Sequence, residues 1–463
     1  MNDIVTLLQA ELGGAVSVDP DELDACRLDK SGHRSASAPL AIVNAASIAD
    51  VQATMRIATA TGTPVVVRGA GTGLAGAAIA SAGEIVLSTT RMTRILEISE
   101  DDELAVVEPG IINAHLNDAL AAKGLWFAPD PASRAISTVG GNIATNAGGL
   151  LCAKYGVTRE AVLGLKIVLA DGRLMSLGHR TVKGVTGLDL VGLMIGSEGT
   201  LGVIVEATVR LRRLPQGEPA TIGAYFDSVE DAARAASVIT ASGLRPAIME
   251  LLDPRAMQYI AEYQGVELPA RSFLLVQTDG EGAAAEAKGA LAVIRSLGGD
   301  ATLTTDTVEA NRLIALRRSF HPAMEARGSV LIEDVCVPRS ALPAMFHAID
   351  EIAGRFGVTI ATVAHAGDGN LHPNFVFDDS AGLGVPEIIW DAAHEMFLTA
   401  LRLGGTLTGE HGVGILKKRW LRDELGDDQV DLQRDIKRVF DPSGILNPGK
   451  LFSVEEEHSV LTE

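Results

Sequence analysis

Three glycine-dense segments fall within residues 68–204, and each adjoins a short apolar, β-branched run. The first, Arg68 to Gly76, reads RGAGTGLAG and follows PVVV. The second, PDPASRAISTVGGNIATNAGG, runs from Pro129 to Gly149, with Lys154-Tyr155-Gly156 just beyond it. The third, GSEGTLGVI, begins at Gly196. Glycine lets backbone approach a ligand closely and exposes N–H groups that can cradle a pyrophosphate. A tight turn explains any one of these segments alone. Three in one stretch of chain point to a single large nucleotide ligand.

Gly71, Gly73 and Gly76 also form a literal G-x-G-x-x-G. A nicotinamide-binding Rossmann unit needs a long helix directly after that motif. Only eight residues, AAIASAGE, separate Gly76 from the strand-like IVLST. That is about two helical turns at most, which argues against the Rossmann reading.

A chain of 463 residues is too long for one ordinary core and suggests two or three domains. Hydrophobic residues are 47% and charged residues 21%, a globular balance. The formal net charge of -20 disfavours nucleic acid as a partner, since binding it needs a basic surface. Cys26, Cys152 and Cys336 are distant and odd in number, so neither a disulfide framework nor an iron–sulfur cluster is expected. The first residues, MNDIVTLLQAELGG, lack the basic and apolar regions of a secretory signal. No apolar run reaches the ~18 residues of a membrane helix. Together these suggest a cytoplasmic protein with no transmembrane segment.

The pattern along the chain predicts a helical entry over residues 1–37 and an α+β region over 38–213. In that region Ser47 and Gly62 bracket a helix, and INAHLNDALAAKG forms another. LAIVNA, PVVVR, IVLST, LAVVEPG and LKIVLADG read as strands. LPQGEP, residues 214–219, marks a boundary. A second α+β region over 214–445 carries two alanine-rich helices, and the chain turns helical from about residue 385. Residues 446–463 form a turn-rich segment expected to return to the first domain.

The three glycine segments resemble, in order and spacing, the FAD-binding domain of the vanillyl-alcohol oxidase type. The resemblance implies an α+β fold: a two-subdomain FAD-binding domain, followed by an α+β substrate or cap domain with an antiparallel sheet. It implies that the first loop (Arg68, Gly69, Ala70, Gly71, Thr72, Gly73, Leu74) binds the FAD pyrophosphate. The second loop (Pro131, Ser133, Thr138, Gly140, Gly141, Asn142, Ala144, Asn146, Gly148), with Tyr155 and Gly156, would line the flavin and adenine. So would Glu198, Gly202, Val203 and Ile204 of the third. Members that tether flavin often carry a histidine in the first loop; none stands between Arg68 and Gly83, so FAD is expected to be non-covalent.

Further on, HAGDGNLHPN places His365 and His372 seven residues apart, with Gly367 and Gly369 between them. Those glycines break any helix, so the histidines must meet through a turn. GEHGVG supplies Glu410 and His411. Imidazole plus carboxylate suits zinc, manganese or iron. His365, His372 and Glu410 would leave coordination positions open for substrate. Neighbouring side chains on an extended segment face opposite ways, which suits Glu410 as ligand and His411 as base.

H-x-G-D-G-N-x-H, G-E-H-G-V-G and the final GILNPGK resemble the C-terminal domain of FAD-linked oxidases of the D-lactate, glycolate and D-2-hydroxyglutarate dehydrogenase group. The resemblance implies that Arg317 pairs with the substrate carboxylate, that Asn374 lies near the substrate and that Asn447 lies near the cofactor. The hydroxyglutarate enzymes carry a threonine four residues after the arginine and a lysine further on. Here His321 takes the first place and LIEDVCVP offers no lysine. A lactate- or glycolate-sized substrate is therefore expected over a long diacid.

The expected activity is oxidation of a small D-2-hydroxy acid to its 2-oxo acid by FAD and a divalent metal, zinc or manganese, with hydride passing to flavin N5. With no second redox centre, electrons would leave to an external acceptor: a quinone, a cytochrome or an electron-transfer flavoprotein. A homodimer is compatible with these features, and oligomeric state is otherwise unread. A D-2-hydroxyglutarate dehydrogenase and an oxidase using oxygen directly stay open. A metal hydrolase would not need three dinucleotide loops, and a non-catalytic FAD-binding subunit would not need the ligands.

Overall fold

The computed structural model describes residues 3–380, 382 and 384–453. The chain forms two compact units. The first comprises Met1–Gly148, Gly156–Leu214 and Glu410–Glu463; the second comprises Gly149–Tyr155 and Pro215–Gly409.

In the first unit, strands Ala41–Asn44, Ile85–Ser88 and Val65–Arg68 lie side by side in parallel, with Val16–Ser17 antiparallel on the outer edge. The strands read as unbroken apolar runs because parallel strands are covered on both faces. Helix Ile48–Thr61 provides one cover. Ser47 accepts from the Asp50 N–H while the Asp50 carboxylate takes the Ser47 N–H, and Gly62 ends the helix in the left-handed region. Its Val51, Met55 and Ala58 sit in the core with Val43, Val65 and Ile85. Ile4 and Leu8 of helix Ile4–Leu12 join the same core, so the N-terminal helix is an integral part of this unit. After Arg68 the chain makes turns without a helix until Ile85, so no Rossmann helix follows the glycines.

A second, antiparallel sheet follows, in the order Ile95–Ser99, Leu104–Val107, Val203–Arg210, Val162–Val168, Leu174–Gly178. Helices Asn113–Ala121 and Val139–Thr145 contribute to its core. The segment 410–445, assigned by pattern to the second region, belongs instead to the first unit. Its backbone is claimed there: Ile415 N–H donates to the Ala75 carbonyl at 2.9 Å, and Lys437 Nζ donates to that of Thr200 at 3.2 Å. The chain then runs on beside Val65, whose N–H donates to Ile445 (2.7 Å) and whose carbonyl accepts from Asn447 (2.9 Å).

The second unit is built on an antiparallel sheet in the order Asp300–Thr304, Ala220–Phe226, Ser272–Thr278, Ile248–Leu252, Thr359–His365, Asn370–Phe377, Ser329–Ile332. Val335–Cys336 also pairs with Asn370–Phe377. Helices Val229–Ala241 and Ala283–Ser296 are the two alanine-rich elements. Their small buried residues let the helices lie close to the sheet. The helical stretch expected from residue 385 is real over Glu387–Arg402, breaks, and resumes over Leu421–Leu425 and Asp427–Phe440. Gly404 (φ 78°) and Gly405 turn the chain, and Thr406 bridges to Cys336 as extended backbone. Cys26, Cys152 and Cys336 form no disulfide, and no described helix is long and apolar enough to cross a membrane.

Candidate active site

The first glycine segment leaves the parallel sheet at Arg68. The Arg68 guanidinium donates to the Ala78 carbonyl at 2.6 Å and the Leu28 carbonyl at 3.0 Å, so it holds the loop by its far end and by the N-terminal strap. Gly71 (φ 67°) packs directly on that guanidinium, where any Cβ would collide. Gly69 lies against Thr138, 2.5 Å from where its Cβ would be. None of the backbone N–H groups of residues 69–74 donates to another described residue. Ala70 is exposed and its five neighbours are half-buried. A row of unspent donors beside glycine is what a pyrophosphate requires, so the loop fits FAD.

The second segment is pinned from beneath. Thr138 caps helix Val139–Thr145 by accepting from Gly141, and Gly140 donates to Pro109 at 2.8 Å. Asn142 is buried and spent on Ser137 and Asn113, which makes it a scaffold for the loop. Pro131 and Ser133 carbonyls close the turn before it, accepting from Arg134 and Ile136 at 2.8 Å. Asn146 (φ 52°) ends the helix and accepts from Arg159 at 2.9 Å. The carbonyl of Ala144 takes the N–H of Glu198. Gly148 backs onto Glu410: a Cβ there would strike its carboxylate. Gly156 has φ 86°. In the third segment Gly202 leads into the strand carrying Val203 and Ile204. Glu198 and Asn447 are buried, and Asn447 accepts from the Val67 N–H at 2.9 Å. Tyr155 lies in the second unit, where its hydroxyl donates to Asp279 at 2.6 Å.

In the second unit HAGDGNLH is a β-hairpin. His365 pairs with Asn370 across the two strands, and His372, two residues on, shares that face. Gly369 (φ 94°) makes the turn and leaves no room for a side chain beside the Val337 carbonyl. The two imidazoles, both buried, meet edge to face with centroids 5.0 Å apart. His365 Nδ1 contacts Glu250 at 2.7 Å, and Glu250 is fully buried on the adjacent strand, opposite His365 in register. The same carboxylate accepts from Arg317 Nε at 2.6 Å. A carboxylate on one ring nitrogen presents the opposite nitrogen, Nε2, for ligation. His372 Nδ1 is 3.7 Å from buried Asp334, which also accepts from the Gly409 N–H at 2.8 Å and the Thr408 hydroxyl. The Oδ1 atoms of buried Asn370 and Asn374 have no hydrogen-bond partner among the described residues. Buried imidazoles backed by carboxylates, with orphaned amide oxygens beside them, fit a metal and a polar substrate.

Thus the structure brings His365, His372, Asn374 and Arg317 onto one patch of one unit. His321 is half-exposed and its ring faces Glu325 at 3.2 Å. Glu410 and His411 begin the first unit's last segment, peptide-bonded to Gly409. Sequence reasoning missed Glu250 and Asp334. The only signal was an acid inside an apolar run, IMELL and LIEDV, which a strand buries only with a partner.

Comparison with known proteins agrees with this geometry. Residues 39–178 match the family described as FAD binding domain, and residues 217–451 match FAD linked oxidases, C-terminal domain. The chain is 38% identical to the glycolate oxidase subunit GlcD of Bacillus subtilis (strain 168), over 92% of each chain. It is 35% identical to D-lactate dehydrogenase of Archaeoglobus fulgidus, over 95% of this chain and 98% of that one. It is 34% identical to D-2-hydroxyglutarate dehydrogenase of Stutzerimonas stutzeri (strain A1501), over 98% of each. Among solved structures, p-cresol methylhydroxylase superposes with a TM-score of 0.78 at 18% identity, covering 97% of this chain and 96% of that one. Alkyldihydroxyacetonephosphate synthase gives 0.74 at 19%, covering 97% and 84%. The fold is that of vanillyl-alcohol oxidase-type FAD enzymes. The chain is an FAD-binding oxidoreductase and belongs to the FAD-linked oxidase family.

Proposed function

We propose that this enzyme oxidises a D-2-hydroxy acid of lactate or glycolate size to the 2-oxo acid. The observation that carries the reading is the buried His365–His372 pair, backed by Glu250, which also holds Arg317. His365, His372 and Glu410 would hold a divalent ion, zinc or manganese, which as a Lewis acid lowers the pKa of the substrate hydroxyl. Glu410 suits the third place because Gly409, its neighbour, is fixed to Asp334 beside His372. FAD, bound non-covalently, supplies the two-electron acceptor.

The chain's own residues orient the substrate and take its proton. Arg317 spends Nε on Glu250, which leaves the two terminal nitrogens of its fork for the substrate carboxylate. Asn374 offers the substrate an Oδ1 that has no partner among the described residues. His411 accepts the hydroxyl proton on an imidazole nitrogen, and the Cα–H bond breaks with its electron pair leaving as hydride. Electrons then pass to an external acceptor: a quinone, a cytochrome or an electron-transfer flavoprotein.

A diacid is the second reading, favoured by the 34% identity to a D-2-hydroxyglutarate dehydrogenase. His321 facing Glu325 argues against it, since a second carboxylate needs a cation at that place. Dye-coupled turnover with D-lactate, L-lactate, glycolate and D-2-hydroxyglutarate separates them. D-lactate or glycolate should give the highest kcat/KM. Preference for L-lactate, or no turnover of any, contradicts the proposal; preference for D-2-hydroxyglutarate selects the diacid.

A further inference from the structure

Glu198 is a buried acid in a conformation that side chains seldom adopt (φ 51°), between Gly196 (φ 79°) and Gly199 (φ 75°). Its two carboxylate oxygens are spent on one short stretch of backbone. Oε1 accepts from the Val413 N–H at 2.7 Å and Oε2 from the Gly414 N–H at 2.8 Å. Those residues follow Glu410 and His411 directly. Gly412 (φ 88°) passes so close that a Cβ would lie 2.7 Å from Oε1. Gly414 lies against the Ala75 carbonyl, which accepts from Ile415.

The backbone of Glu198 is tied just as tightly. Its N–H donates to Ala144 of the second glycine segment at 2.8 Å. Its carbonyl accepts from Asn447 Nδ2 at 2.5 Å, and Asn447 in turn takes the Val67 N–H and donates to Ala77, on either side of the first segment. One residue therefore joins all three glycine segments to the backbone that carries Glu410 and His411. All of these contacts lie within the first unit. Burial pushes the Glu198 carboxyl up to about 7 despite its two N–H donors, so the placement is held at a cost.

We propose that Glu198 is a positioning residue: its carboxylate fixes the loop carrying Glu410 and His411 relative to the FAD-binding segments, and does not itself bind the flavin. The roles of Glu410 and His411 rest on the function proposed above; the positioning does not.

Glu198→Gln tests it, because an amide offers one acceptor and turns an NH2 group toward the second N–H. Hydrogen exchange of the FAD-loaded protein should speed about tenfold or more in peptides covering 410–416, while those covering 139–145 stay as in wild type. In turnover, kcat should fall about 100-fold, with KM and the FAD dissociation constant within about threefold. Gly412→Ala, which presses on the carboxylate from the loop side, should give the same split and serves if the first variant does not fold. Unchanged exchange over 410–416 overturns the proposal. So does loss of FAD affinity in step with kcat, which would make Glu198 a flavin contact or a general prop. If the wild type oxidises no 2-hydroxy acid, the functional reading fails, and the exchange result alone decides the positioning.

Discussion

Glu250 links two residues of the proposed site, Arg317 and His365, that the motifs supply separately. It is fully buried, and its carboxylate joins the Arg317 guanidinium to the His365 ring. Glu250→Gln should leave the Arg317 cation uncompensated in a low-dielectric setting and lower stability by about 3 kcal/mol, measured by urea unfolding. Metal affinity should fall about 10–100-fold in chelator competition, because the His365 ring loses its orienting acceptor. An unchanged metal dissociation constant would remove Glu250 from the ligand-orienting role. His411→Ala should reduce kcat by about 100-fold or more while FAD stays bound, read from the flavin spectrum of the purified variant. The histidines were legible in sequence because flanking glycines forced a turn. Glu250 was not, since its partner His365 is 115 positions away and only strand register makes them neighbours.

At the scale of elements, the hairpin between Thr359–His365 and Asn370–Phe377 sets the distance between the imidazoles. Gly369→Ala would place a side chain at φ 94° against the Val337 carbonyl. It should cost about 1–3 kcal/mol and weaken metal binding together with stability, by thermal unfolding with and without zinc. Helix Pro254–Gln264 begins at Asp253, whose buried carboxylate takes the N–H groups of Ala256 and Thr362. Desolvation raises its pKa from 3.8 to about 7. The native state therefore holds a proton that the unfolded chain has released, and stability should fall as pH rises from about 4 to 7. Asp253→Asn should flatten that slope in urea midpoints taken across the range; an equal slope would show that other groups cause it. Short buried strands were easy to read from their apolar runs. The extended stretch after Arg402 was not, because its pairing with Cys336 is non-local.

On the scale of the whole molecule, the first unit is assembled from three separate pieces of chain. The pattern from residue 214 to 445 looked continuous because linear periodicity does not reveal which unit claims a backbone. The last piece reaches strand Val65–Arg68 just before the first glycine loop, through Ile445, Leu446 and Asn447. Removing residues 445–463 should therefore abolish FAD retention, seen as a colourless protein after gel filtration; a yellow, folded truncation would contradict that dependence. The central claim, that FAD and a metal at His365, His372 and Glu410 act together on a D-2-hydroxy acid, has one direct test. It is the anaerobic absorbance spectrum of the FAD-loaded protein titrated with D- and L-lactate, glycolate and D-2-hydroxyglutarate, before and after chelation. The expected result is flavin bleaching by D-lactate or glycolate but not L-lactate, lost on chelation and restored by zinc or manganese. Bleaching that survives complete metal removal, or a flavin that none of these acids reduces, would contradict it.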